Sequence, residues 1–130
     1  MSSAPMPFTP TLYIKTDCPF SFKVVLFLQT AGLLEDFILA EYQQGTAEGE
    51  ALKLQLAKQC GGKASFPTIE VAKGDFRSES DELIQHYAKM HGIDSKQIPI
   101  IDLYQRGLFT TYIKMVKKIK ASNHGVFNLD

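Results

Sequence analysis

Apolar and polar positions along this chain follow two periods, and they change over most sharply at residues 15–24. Thr11-Leu12-Tyr13-Ile14 is a β-branched, apolar run that predicts a strand. Phe20, Val24, Phe27, Leu28 and Ala31 then recur at the spacing of one helix face. Gly32 predicts the stop, since glycine accepts the left-handed cap conformation. Glu35 to Tyr42 has a largely apolar centre and predicts a second strand. A strand, a helix and a strand in so short a span make a βαβ unit, whose two strands run parallel. Gln43-Gln44-Gly45-Thr46 is turn material, and Ala47 to Cys60 predicts a second helix ended by Gly61-Gly62. Leu52, Leu56 and Cys60 are spaced by four on it, so Cys60 is expected to face the core.

Ser65 to Val71 returns to strand character with Pro67 at its start, where a missing N–H disturbs a ladder least. The other option for Pro67 is a cis bond that presents a neighbouring backbone to a ligand. Lys73-Gly74-Asp75 predicts a turn into a short hairpin partner at Phe76-Arg77. Ser80 is expected to cap a third helix, with Asp81 and Glu82 in its first turn and Leu83, Ile84, Tyr87 and Ala88 on its apolar face. Gly92 ends it. The order β-α-β-α-β-β-α over Thr11 to Gly92 is that of the thioredoxin-like fold, an α/β architecture with a four-stranded mixed sheet flanked by helices.

Further on, Ile100, Leu103, Tyr104, Leu108, Tyr112, Met115, Val116 and Ile119 fall near one stripe, with Gly107 as its weak point. Lys114, Lys117, Lys118 and Lys120 load its end with positive charge, which favours a helix C-terminus. The stripe is expected to pack on the domain; a homodimer face or an amphipathic surface for anionic lipid are its other uses. Three spans result: a flexible lead-in at 1–10, the thioredoxin-like domain at 11–92, and a C-terminal helical extension at 93–130 with a frayed end from Ser122.

The chain has 130 residues, 45% hydrophobic and 22% charged, enough for one ordinary core. Its 14 basic and 14 acidic residues cancel, which argues against nucleic acid as a partner. The first ten residues lack the basic start and apolar run of a signal peptide, and no window suits a transmembrane helix. Only 2 cysteines, Cys18 and Cys60, suit a reducing compartment, so a cytoplasmic location is expected. His86, His91 and His124 are scattered, and zinc is not expected.

The chemistry concentrates at Cys18, between the first strand and the first helix. Pro19 stands at a first helical position, where its missing N–H is harmless. A thiol there faces unpaired backbone N–H groups and the positive end of the helix dipole, and both favour the thiolate, which is the nucleophilic form. The plainer alternative is a small buried hydrophobe. Lys15 and Lys23 flank the cysteine as candidate electrostatic partners, with Lys15 expected to be an ordinary solvated charge.

Three motifs in order carry a family resemblance. Cys18-Pro19-Phe20-Ser21 after a strand, Phe66-Pro67-Thr68 opening another, and Glu79-Ser80 opening a helix resemble glutaredoxins and the N-terminal domains of glutathione transferases. The Cys-Pro-Phe-Ser form is most similar to the cysteine-type branch, which includes dehydroascorbate reductases, omega-type transferases and chloride intracellular channel proteins. The resemblance spans Leu12 to Met90. It implies a cis bond at Pro67, with Phe66 pairing its backbone to the cysteinyl part of glutathione by strand addition. It implies also that Glu79 and Ser80 hold the γ-glutamyl end, with Pro19, Phe20 and Lys23 lining the site. A helix N-terminus suits that carboxylate on physical grounds as well.

Two departures from the family bear on function. Ser21 stands where dithiol glutaredoxins have a second cysteine, so a second glutathione would have to resolve the mixed disulfide, and Ser21 could donate a hydrogen bond to the Cys18 thiolate. The second departure is length: only 93–130 remains where transferases carry a large helical domain. The leading expectation is therefore a glutaredoxin-like, monothiol, glutathione-dependent oxidoreductase acting through Cys18 on glutathionylated or disulfide substrates. The alternative is a non-enzymatic glutathione- or protein-binding module of the transferase N-terminal type. An iron–sulfur variant of that module fits less well, because Pro19 stands where such proteins typically have glycine.

Overall fold

The computed structural model describes residues 8–123. Four strands, β1 (Thr11–Lys15), β2 (Ile38–Tyr42), β3 (Thr68–Ala72) and β4 (Asp75–Ser78), form one sheet in the order β2-β1-β3-β4. β1 and β2 run parallel, while β3 is antiparallel to both β1 and β4. With helices α1 (Pro19–Thr30), α2 (Ala47–Gln59) and α3 (Ser80–Met90) interleaved, this is the thioredoxin-like arrangement. A C-terminal helical segment follows it.

Two strand starts lie later than their sequence pattern suggests. Leu34–Asp36 is a single 3₁₀ turn rather than strand, and pairing begins where Ile38 N–H donates to the Pro10 carbonyl. Upstream of that point β1 offers no partner. β3 likewise starts at Thr68, opposite Tyr13, after the cis Phe66–Pro67 bond.

Strand alternation divides the core between two faces. On one, Leu12 and Ile69 pack with Val24, Phe27 and Leu28 of α1 and Leu83, Ile84, Tyr87 and Ala88 of α3. Phe27 and Leu12 are fully buried, each worth about 1.5–3 kcal/mol relative to exposure. Tyr13, Lys15 and Tyr42 share the opposite face, which α2 covers through β2. α1 ends in a Schellman motif: Leu33 N–H donates to the Leu28 carbonyl at 2.8 Å and Gly32, at φ +75°, donates to Gln29. The left-handed φ is what requires glycine there.

α4 (Pro99–Tyr104), a π-helical turn (Gln105–Phe109) and α5 (Thr110–Asn123) form the C-terminal segment. The predicted apolar stripe splits in two. Tyr104, Val116 and Ile119 are buried or half-buried, joined by Ile101 and Phe109, whereas Ile100, Leu103, Leu108, Tyr112 and Met115 are exposed. The π turn is the cause, because its wider winding rotates the apolar face between α4 and α5. The greater part of the lead-in (1–7) and of the expected frayed end (124–130) lies outside the described residues. No helix among the described residues is long and apolar enough to cross a membrane.

Candidate active site

Cys18 occupies the N-cap of α1 with extended φ/ψ of −97° and 121°, and Pro19 takes the first helical turn. Its Sγ accepts the Ser21 backbone N–H at 3.4 Å. The Cys18 thiol in turn donates to the Phe66 carbonyl at 3.8 Å, so the sulfur bridges the α1 N-terminus and the cis-proline loop. A web of hydroxyls holds that loop: Thr68 Oγ1 donates to the Ser65 carbonyl at 2.7 Å and lies 2.9 Å from Ser78 Oγ. Phe66 stacks on Tyr42 with ring centroids 5.1 Å apart.

Although Cys18 is only 5% exposed, three cavities meet around it and its neighbours. One, of about 440 Å³, is lined by Phe20, Phe66 and Pro67 together with Glu79 and Ser80 at the start of α3. A second, of about 830 Å³, runs from Cys18, Phe20 and Phe66 along α2 and includes Glu50, Lys53, Lys63 and Lys120. The third is apolar, about 390 Å³, and lies between Cys18, Pro19 and Phe22 on one side and Tyr104, Leu108 and Met115 on the other. Cys18, Pro19, Phe20, Phe66, Pro67, Glu79 and Ser80 thus converge.

Several expectations need correcting. Ser21 Oγ accepts the Lys15 backbone N–H at 3.1 Å, so it is the Ser21 amide rather than its hydroxyl that faces the sulfur. Lys15 is not a solvated surface charge. It is 4% exposed on the face that α2 covers, with its ammonium 3.9 Å from Asp17. Ser80 is not the helix cap: Glu79 takes that position at φ 74°, and Ser80 is the buried first helical residue. A non-glycine residue at positive φ is strained, and such strain collects at ligand-binding positions. Cys60 is exposed, because α2 ends at Gln59 and Cys60 leaves the apolar face as its C-cap. Partial burial pushes its thiol pKa up.

Lys23 is brought near the site but does not point at the sulfur. Its ammonium is buried, 2.7 Å from Asp81 Oδ1 and 3.1 Å from Gln105 Oε1, and 4.5 Å from the centre of the Phe109 ring. It ties α1 to α3 and to the C-terminal segment. Tyr104, which the sequence did not single out as a site residue, donates its hydroxyl to the Pro19 carbonyl at 2.9 Å. Burial, then the nearby Cys18, raises its pKa above 10. Glu50, Lys53 and Lys63 join Cys18 only through tertiary packing, since nothing in their spacing points to it. The Glu50 carboxyl is held below the usual range by the Gly45 N–H and the Tyr42 hydroxyl. Among the described residues no cluster of His, Cys, Asp and Glu is placed to hold a metal ion.

No protein-family model and no curated protein sequence matches the chain. Among solved structures it is similar to a glutathione S-transferase from the Antarctic clam Laternula elliptica, with 18% identity, 93% of this chain and 56% of that one covered, and a TM-score of 0.52. Glutathione transferase Omega 2C from Trametes versicolor also aligns, with 19% identity, coverage of 88% and 62%, and a TM-score of 0.45. The chain spans 56% and 62% of the lengths of these two structures. The clam enzyme shares the fold.

Proposed function

We propose that the protein is a glutathione-dependent, monothiol thiol–disulfide oxidoreductase with Cys18 as its nucleophile. The single observation that carries this reading is the placement of Cys18 Sγ at the N-cap of α1 against the Phe66 carbonyl, where two cavities adjoin. A disulfide-bonded tripeptide fits this layout. Its γ-glutamyl end lies at the α3 N-terminus by Glu79 and Ser80, its cysteinyl backbone pairs with Phe66, and its glycyl carboxylate points towards Lys53 and Lys63.

The chemistry then takes two balanced steps. The Cys18 thiolate attacks the glutathionyl sulfur of a mixed disulfide, forming the Cys18–glutathione disulfide and expelling the substrate as a thiolate that takes a proton from water. A second glutathione thiolate attacks the glutathionyl sulfur, giving glutathione disulfide and returning the Cys18 thiolate. The Ser21 amide faces the sulfur at the α1 N-terminus, where it can donate to Cys18 Sγ in either step. Two free thiols suit a reducing, cytoplasmic setting.

The 5% exposure of Cys18 favours a second reading, a glutathione-binding module without turnover. Reduction of the hydroxyethyl–glutathione mixed disulfide by the full chain separates the two. Turnover that disappears in Cys18→Ser with the fold intact is expected. Turnover retained by that variant would overturn Cys18 as nucleophile, and no turnover in the unaltered protein would leave the binding module. Alkylation of Cys18 in preference to Cys60 at pH 6 is the companion result expected of an activated thiol.

A further inference from the structure

The two cavities that share Phe20, Ser65 and Phe66 differ in size in the opposite sense to the two ends of glutathione. The cavity at Glu79 and Ser80 has about 440 Å³ for the larger γ-glutamyl end. The cavity along α2 has about 830 Å³, and glutathione would place only glycine there. Its charge is in excess as well. A glycyl carboxylate carries one negative charge, yet Lys53, Lys63 and Lys120 all line this cavity. The one carboxylate among the lining residues, Glu50, accepts from the Tyr42 hydroxyl at 2.9 Å and the Gly45 N–H at 3.0 Å and interacts with Lys53, so it offsets one of the three charges and leaves the lining net positive. Lys63 and Lys120 form no ion pair among the described residues.

We propose that this cavity is a polyanion site that selects substrates whose thiol carries phosphate groups. The proposal rests on the reading of Cys18 as a glutathione-dependent nucleophile and names the class of thiol it releases. Lysine ammonium groups hold phosphate as mobile point charges, and no arginine fork suited to bidentate carboxylate lines the cavity. Lys53 is oriented for this, with its ammonium 5.3 Å from the centre of the Tyr42 ring. Leu54 and Ala57 supply an apolar wall along which a chain linking sulfur to phosphate can lie. Lys120 comes from α5, so the C-terminal segment contributes to the lining. The reaction stays balanced: Cys18 takes the glutathionyl group, and the phosphorylated thiol leaves as its thiolate and is protonated by water.

The test compares kcat/KM of the full chain for three glutathione mixed disulfides, whose second halves are 2-mercaptoethanol, coenzyme A and mercaptosuccinate. The coenzyme A disulfide is expected to be preferred over the mercaptoethanol one by about tenfold at low salt, with the preference shrinking as ionic strength rises. Lys120→Gln is expected to lower that ratio about two- to fivefold. Equal kcat/KM for coenzyme A and mercaptoethanol, or a ratio that Lys120→Gln leaves alone, overturns the proposal. An equal preference for mercaptosuccinate overturns the phosphate assignment. Absence of turnover on all three is a failure of the oxidoreductase reading instead. Calorimetric titration with coenzyme A then decides the site by itself: binding weakened in Lys63→Gln and Lys120→Gln supports it, and binding that is absent or indifferent to both overturns it.

Discussion

Tyr104 donates its hydroxyl to the carbonyl of Pro19 across 85 residues of sequence, at 2.9 Å. Pro19 directly follows the nucleophile candidate, so the C-terminal segment is fastened to the start of α1 rather than laid loosely beside the domain. Phe22 supports the same contact, its ring 5.3 Å from that of Tyr104. Tyr104→Phe keeps the ring and removes the donor. It is expected to lower stability by about 0.5–1.5 kcal/mol in chemical denaturation, since the Pro19 carbonyl loses its side-chain partner. An unchanged midpoint would show that water takes over the bond.

Ser80→Ala separates binding from helix stability. Because Glu79 holds the N-cap and Ser80 is already inside α3, loss of the hydroxyl should leave the denaturation midpoint near the unaltered value. The KM for glutathione should rise by about tenfold, corresponding to a buried polar contact of about 1–3 kcal/mol. Reactivity of Cys18 towards a small disulfide without glutathione should not move. A lowered midpoint with normal KM would make Ser80 a structural residue only.

The Lys23–Asp81 pair predicts an asymmetry. Lys23 is buried and Asp81 is 82% exposed. Lys23→Met removes the buried charge and leaves a carboxylate that water can solvate. Asp81→Ala strands a buried ammonium with Gln105 and the Phe109 ring as remaining partners. Asp81→Ala should therefore be the more destabilising change, by up to about 3 kcal/mol against Lys23→Met, as read from paired denaturation curves. The reverse order would mean that the methylene stem of Lys23, not its charge, provides the contact.

Alkaline stability follows from Tyr87, whose burial raises its pKa to about 12. The unfolded chain releases this proton near pH 10, while the native protein keeps it to about pH 12. Between those values the native state binds more protons, so the contribution of Tyr87 is complete below pH 10 and is lost as pH climbs. Stability should fall there by about 1.4 kcal/mol per pH unit from this group. Tyr87→Phe should flatten the slope by that amount in denaturation measured from pH 9 to 12. An unaltered slope would assign the alkaline loss to the other tyrosines.

Local rules account for the parts of the fold that were legible from the chain alone. Leu83, Ile84, Tyr87 and Ala88 repeat on one helix face and are all buried. Pro19 after Cys18 begins a helix because its ring already has helical φ and no N–H to waste, and Gly32 ends one because a left-handed residue is needed. Those effects act over a few residues, so composition and spacing suffice to read them. They also placed Cys18 beside a helix N-terminus, which is a purely local relationship.

What only the tertiary structure decided depends on contacts between distant segments. A period of four could not show that α2 stops one residue short of Cys60 and turns it outwards. Lys15 has the residue type of a surface charge, and its burial follows from β2 and α2 covering that side of β1. The π turn at Gln105–Phe109 redirects the apolar stripe so that Phe109 meets Phe20 and Lys23, a choice set by docking rather than by helix periodicity. Lys53, Lys63 and Lys120 converge on one cavity although α2, the loop after it and α5 are far apart in sequence. Charge gathers there because the chain folds back on itself, and spacing along a sequence carries no trace of that.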